Sequence, residues 1–267
     1  MSLNLIIDSS SLIFRAFYAV FNRSHGNINP SINLYRSWLN RLSIKFNSIK
    51  DVDTKLFCAI DKNNRNSNNF KLLDSYKEGR GTPQLLKENF DKFHQAEEEL
   101  GYKIIGIDGE EADDVAASLS EELYLKNDSY KGTFIVTADR DLFQLANKDK
   151  RISIIRPESQ SHKTNFNIYN EQKVCDYFGI NTPLQVCDYK ALAGDGSDGY
   201  KGVKGIGNKR ALSLINKYNS IDGIYNHINE IKGKQKEYLI NGKNDAYTCL
   251  KLATLNKNLL KTNYIKL

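Results

Sequence analysis

Four short apolar runs, each leading into acidic residues, constrain this chain more than any other feature. Residues 3–7, 56–60, 103–107 and 133–136 are β-branched or apolar and read as strands, and 152–155 reads as a fifth. Between them the spacing is helical. Leu34, Trp38 and Leu42 recur every four residues, and Ala112, Val115, Ala116, Leu119 and Leu123 trace one face of another helix. Strands alternating with helices predict an α/β core with a mostly parallel sheet flanked by helices on both faces. After about residue 165 strand signals fade, and the chain turns helical with Gly-rich turns. The expected organisation is a core at 1–165 and a helical part at 166–267. Residues 62–101 interrupt the alternation with an Asn-rich stretch, several basic residues and a helical pattern, and so read as a functional insertion.

Composition narrows the class. Of 267 residues, 40% are hydrophobic and 26% charged, ordinary proportions for a globular protein. No apolar run approaches the roughly 20 residues of a membrane span, and the stretch at residues 3–7 is too short for a signal-peptide core and lacks a cleavage site. A cytoplasmic location and no membrane partner are expected. Four scattered cysteines with no CxxC pair argue against a zinc site or a disulfide framework. The formal net charge of +6 suits a polyanionic partner but does not establish one.

The acids carry the chemistry. Asp8 follows the first strand and Asp61 the second. The third strand leads into Glu111, Asp113 and Asp114 at a helix start, and the fourth into Asp139 and Asp141. In an open parallel sheet, ligands bind outside the carboxyl ends of the strands. Any one such acid reads most simply as a helix N-cap. Seven on one rim repel one another unless cations or protons relieve them, and Mg²⁺ or Mn²⁺ are the natural hard ions for oxygen ligands. Asp195 and Asp198 precede the glycine-dense stretch, and nine carboxylates allow two metal clusters.

The stretch at 202–217 reads as the turn and second helix of a helix–hairpin–helix spanning about 184–218. Gly202, Gly205 and Gly207 would let the backbone approach a phosphate, and helix N-terminal amides would hold the anion. Lys201, Lys204, Lys209 and Arg210 add positive charge without an intervening acid. A Gly-rich loop with a solvated basic face is the plainer alternative.

With these motifs in view, the sequence resembles the 5′-nuclease family of flap endonucleases, phage-type 5′-3′ exonucleases and the 5′-nuclease domain of bacterial DNA polymerases. The matching pieces are Asp8-Ser9-Ser10-Ser11 through Arg15-Ala16-Phe17, Asp61, Tyr76-Lys77 with Arg80, Glu111-Ala112-Asp113-Asp114, Thr137 through Leu142, and Gly194-Asp195 through Ala211. The segment 27–33 departs from the family's usual Pro-Thr-Gly pattern. The resemblance implies a PIN-like core with a helical arch at about 62–101 and a two-metal, Mg²⁺- or Mn²⁺-dependent 5′-3′ exonuclease and flap endonuclease of DNA replication and repair. Asp8, Asp61, Glu111 and Asp113 would form the first metal cluster, with Asp114 close by. Asp139, Asp141, Asp195 and Asp198 would form the second, with Asp139 able to serve both. Lys77 and Arg80 would polarise the scissile phosphate, Arg15 would lie near it, and Tyr76 would stack on the terminal base. The hairpin would hold duplex DNA and could take K⁺ in its turn. A monomer with a DNA polymerase as functional partner is the implied setting. A PIN-type ribonuclease and a DNA-junction binder that does not cut are the competing readings.

Overall fold

The computed structural model describes residues 2–23, 26–63, 69, 72–73, 76–77, 81–126, 129–160 and 163–262. In chain order, the first part runs β1 (Ser2–Asp8), α1 (Ser9–Val20), α2 (Asn29–Asn47), β2 (Asp53–Ile60), α3 (Phe90–Glu99), β3 (Lys103–Gly106), α4 (Ala112–Leu125), β4 (Tyr130–Val136), β5 (Ile152–Gln160) and β6 (Lys163–Tyr169). The strands form one sheet in the order β3-β2-β1-β4-β5-β6. The first five are mutually parallel, and β6 closes the edge antiparallel to β5. All seven residues of β1 are buried, as a central strand covered on both faces requires.

Side-chain alternation divides the sheet between two cores. Ile6, Phe57, Ile135 and Ile154 face the layer built by α4 and the 3-10 turn Asp141–Leu145. Leu5, Ile7, Cys58, Val136 and Ile155 face α1, α2 and α3. Pro30 opens α2, where a missing N–H costs nothing. The helical pattern expected within 62–101 resolves into a turn at Gln84–Lys87 and α3, and α3 belongs to the covering layer. Phe93 and Ala96 are fully buried, with Phe93 set edge-on to Tyr35 at 5.5 Å between ring centroids. Glu97, also on the buried face, accepts hydrogen bonds from the Tyr35 hydroxyl and from His94 Nδ1.

The sheet reaches past residue 165, where strand signals fade in the sequence, through the edge strand β6. Its residues Asn165-Phe166-Asn167-Ile168 alternate in polarity, but the strand lacks the β-branched density of the inner strands, as an edge strand can. Helices then follow: α5 (Glu171–Phe178), α6 (Gln185–Ala193), α7 (Asn208–Tyr218), α8 (Ile221–Asn226), α9 (Gly233–Asn241) and α10 (Lys243–Ala253), with a last turn at Leu259–Thr262. Asn170 caps the N-terminus of α5, and Gly179 at φ 72° ends it. Ala191, Leu192, Ile215, Leu239 and Ala246 build a third core among these helices. No helix among the described residues is long and apolar enough to cross a membrane.

Polar bonds tie the last helices back to the sheet layer. Gln144 donates to Ala253 O at 3.0 Å and accepts from Leu255 N at 3.1 Å. Ser118 Oγ donates to Asn256 O at 2.7 Å.

Because α3 is part of the core, Phe93→Ala should destabilise the protein by about 3–5 kcal/mol in urea unfolding. Tyr18→Ala, at a ring 57% exposed, should stay within about 0.5 kcal/mol of wild type. An unchanged midpoint for Phe93→Ala would show that α3 does not pack as described.

Candidate metal centre and nucleic-acid interface

The strand order reverses at β1, whose neighbours β2 and β4 are reached by crossovers running in opposite directions, and such a switch point opens a crevice at the strand ends. Here that crevice is a cleft of about 1450 Å³ with Asp8, Asp61, Glu111, Asp113, Asp139 and Asp195 on its walls.

Each acid is held by local structure. Asp8 ends β1 and caps α1, accepting from Ser11 N at 3.2 Å and from Thr137 Oγ1 at 2.7 Å. Thr137 also receives Asp139 N at 2.9 Å, and Asp139 Oδ1 receives Asp141 N at 3.0 Å. One threonine at the end of β4 thus orients acids from two strands. Asp61 accepts from Ala112 N at 2.9 Å and from the Ser10 hydroxyl, so it bridges α1 to the start of α4. Glu111 precedes α4 and takes Tyr76 Oη at 3.0 Å, Asn69 Nδ2 at 3.1 Å and the Lys77 ammonium. Asp114, in the first turn of α4, accepts Asn256 N at 2.7 Å from the C-terminal segment. Asp195 follows Gly194 at the end of α6. It takes Ser197 N at 2.8 Å and Lys190 Nζ at 2.6 Å, and Lys190 also pairs with Asp141.

Among the described residues, two groups converge closely enough to share an ion. Glu111, Asp113 and Asp114 bring oxygens within 4.8 Å of one another, and so do Asp141, Asp195 and Asp198. Asp8 and Asp61 lie on the same cleft without joining the first group, and Asp139 lies there without joining the second. The donor sets are all oxygen, which suits hard divalent ions of the Mg²⁺ and Mn²⁺ kind. Beside the second group the buried Tyr200 hydroxyl has no hydrogen-bond partner among the described residues, although Asp195 and Asp198 act on it electrostatically. A ligand or its water shell would satisfy that orphaned group.

The electrostatics record the crowding. Burial pushes the Asp8 carboxyl up to about 7, with Asp139 and Asp61 adding repulsion against the lowering effect of Thr137. Burial likewise lifts Asp114 to about 7 against the Asn256 N–H bond. Asp113 rises well above the usual carboxylate range through burial and Asp114. Lys77 is raised: burial opposes its charge, but Asp113 and Glu111 outweigh it. Asp195 falls to about 2, since its ion pair with Lys190 and the Ser197 bonds overcome burial.

Several expected residues are placed otherwise. Tyr76 touches the cleft but is only 3% exposed, with its ring packed in the helical core and its hydroxyl on Glu111. Arg15 interacts with Arg156 and Glu158 along β5 rather than lining the cleft, while Arg156 does line it. Arg80 lies outside the described residues. Lys190 and Arg156 were not singled out from the sequence, where each is one basic residue among many. Thr137, by contrast, stood inside a recognisable motif.

The hairpin forms as expected between α6 and α7. Gly202 is not exposed for a phosphate: at φ +64° it packs on the end of α6, and a Cβ there would lie 2.4 Å from Gly194 N and 2.5 Å from Leu192 O. Gly205, at φ +86°, is solvent-exposed but seats against the Tyr238 ring. Gly207 has open space around it and precedes α7, whose first amides have no side-chain cap. Lys201, Lys204, Lys209 and Arg210 are all exposed around this terminus, and Arg210 donates to Gly205 O at 2.7 Å.

Comparison with known proteins agrees with this architecture. Residues 3–179 match the family described as 5′-3′ exonuclease, N-terminal resolvase-like domain, and 181–265 match 5′-3′ exonuclease, C-terminal SAM fold. The Bacillus subtilis 5′-3′ exonuclease is 31% identical across 94% of this chain and 82% of its own length. DNA polymerase I of Synechocystis sp. is 33% identical across 94% of this chain but only 26% of that protein, so the chain spans about a quarter of such relatives. Among solved structures, the T5 5′-exonuclease with bound divalent zinc shares the fold at a TM-score of 0.70 and 20% identity, covering 97% of this chain and 92% of that one.

The raised carboxyls set a pH dependence of stability. Asp8 and Asp114 bind protons in the folded state at a pH where the unfolded chain has released them, so their burial costs stability as pH rises from about 4 through 7. In EDTA the melting temperature should therefore climb by a few degrees from pH 8 to pH 5.5, and Asp8→Asn should flatten part of that slope. A metal-free melting temperature that is flat or falls over this range would contradict the assignment.

Proposed function

The chain belongs to the 5′-3′ exonuclease family, and from that membership we propose a structure-specific 5′ nuclease that hydrolyses DNA phosphodiesters at 5′ flaps, nicks and ends during replication and repair. The observation that carries the reading is the cleft itself, where two carboxylate groups from separate strand ends and from α6 sit beside an exposed basic hairpin. A protein that only bound a polyanion would gain nothing from so much negative charge.

In this reading Asp8, Asp61, Glu111, Asp113 and Asp114 serve one metal position, and Asp139, Asp141, Asp195 and Asp198 the other. Mg²⁺ is the working ion and Mn²⁺ its substitute. When bound, such ions activate water and neutralise the phosphate between them. Lys77, at Glu111 and on the cleft wall, supplies a cation to the scissile phosphate, and Arg156 supplies a second from β5. Arg80 and Arg15 are assigned supporting roles on the substrate strand. Ser10, Ser11 and Thr137 hold Asp8, Asp61 and Asp139 in place.

The hairpin grips duplex backbone through the α7 amides and through Lys201, Lys204, Lys209 and Arg210, with K⁺ in its turn. The protein works as a monomer in the cytoplasm. DNA polymerase is its functional partner, a role supported by relatives that are DNA polymerase I.

The direct test is a 5′-labelled flap duplex with Mg²⁺. Cutting near the junction should vanish with EDTA and fall on the order of a hundredfold in Asp195→Ala. Cutting that survives chelation would rule the mechanism out, and cleavage of RNA but not of flap DNA would favour a PIN-type ribonuclease instead. For the hairpin, Lys204→Ala and Lys209→Ala should each lower the slope of log affinity against log salt by about 1, equally for unrelated DNA sequences. Unchanged slopes would place the grip elsewhere.

A further inference from the structure

Two lysines stand among the acids, and they are placed differently. Lys77 pairs with Glu111. Lys190, from α6, pairs with two acids from distant parts of the chain, Asp141 and Asp195. The Lys190 side chain is 11% exposed, against 9% and 13% for Asp141 and Asp195, so these contacts lie inside the protein. Asp141 and Asp195 are two of the three acids whose oxygens converge within 4.8 Å. A full positive charge therefore occupies the place where a divalent ion would be held. In the Glu111, Asp113 and Asp114 group the direct lysine contact engages one acid of three.

We propose that Lys190 is a built-in counter-ion of the Asp141, Asp195 and Asp198 group, one that a divalent ion must displace, so that this site is the weaker of two and fills second. The inference rests on the reading of these acids as metal ligands. An entering ion either drives the ammonium off two carboxylates or binds beside it against direct repulsion, and both routes lower affinity. In the protein without an ion, the same lysine relieves the repulsion among acids that the fold brings together. Once displaced, the ammonium is released into the cleft that Lys190 already lines, where it can meet a phosphate.

The test is an Mn²⁺ titration of the full chain without DNA, followed by the electron paramagnetic resonance of free Mn²⁺. Wild type should show a tight and a weak class of sites. Lys190→Gln, which keeps hydrogen-bonding capacity but no charge, should tighten the weak class on the order of tenfold or more and leave the tight class unchanged. Lys190→Arg should keep the weak class weak. A weak class unchanged or weakened in Lys190→Gln overturns the proposal, as does equal tightening by Arg. Equal binding in wild type and Lys190→Gln leaves the metal reading standing, whereas no Mn²⁺ binding in either overturns both.

Selectively ¹³C-labelled lysine in wild type gives a readout that does not depend on the Gln variant folding. The Lys190 Cε resonance, identified by its absence in Lys190→Arg, should shift as Mg²⁺ fills the weak class. A resonance that stays fixed to saturation overturns the displacement.

Discussion

Mutual repulsion among carboxylates at one sheet rim is the constraint around which this structure is arranged. Parallel strands deliver Asp8, Asp61 and Asp139 to the same side, and α4 and α6 add more acids from flanking elements. Such a collection is stable only if each charge has a donor or a cation beside it. The fold supplies these locally, through the Thr137 hydroxyl, the Ala112 and Asn256 amides and the Ser197 backbone. It also supplies two lysines from segments far from the strands they serve. Compensation remains incomplete, as the raised Asp8, Asp113 and Asp114 carboxyls record.

Much of this was legible in the sequence because the physical signals were local. A strand that ends in Asp, followed by a helix, reads out both the element and the side of the sheet on which the acid emerges. The hairpin was equally legible, since a run of glycines between two helical patterns leaves few alternatives. What could not be read were facts of three-dimensional neighbourhood. Lys190 looks like any lysine on a helix until Asp141 and Asp195 are brought to it. Tyr76 carries an aromatic ring suited to stacking, and only the packing of α6 and its neighbours shows that the ring is covered. Gly202 and Gly207 are identical as letters, yet one is wedged against Leu192 O and the other faces open space. The edge strand β6 is faint in the sequence because its apolar residues are sparse, and α3 reads as part of an insertion because the segment before it does not follow the strand–helix alternation.

The helical part is more than an appendage to the sheet. Gln144 sits in the turn that follows Asp141 and bonds the backbone at Ala253 and Leu255, and Asp114 bonds Asn256. Residues on both sides of the acidic cleft are therefore braced by the same C-terminal segment. Loss of order there would reach the cleft through the Asp114–Asn256 bond on one side and through Gln144 on the other.

The short loop after α6 has a mechanical consequence. Asp195 and Tyr200 exchange two backbone hydrogen bonds, and Val203 N is bonded to Leu192 O, so the loop, the helix end and the hairpin turn form one stiff piece. A push on the turn cannot be absorbed by slack before it arrives at Asp195. Whatever settles on the hairpin acts on the carboxylate through a rigid lever a few residues long, and the position of one fixes the position of the other.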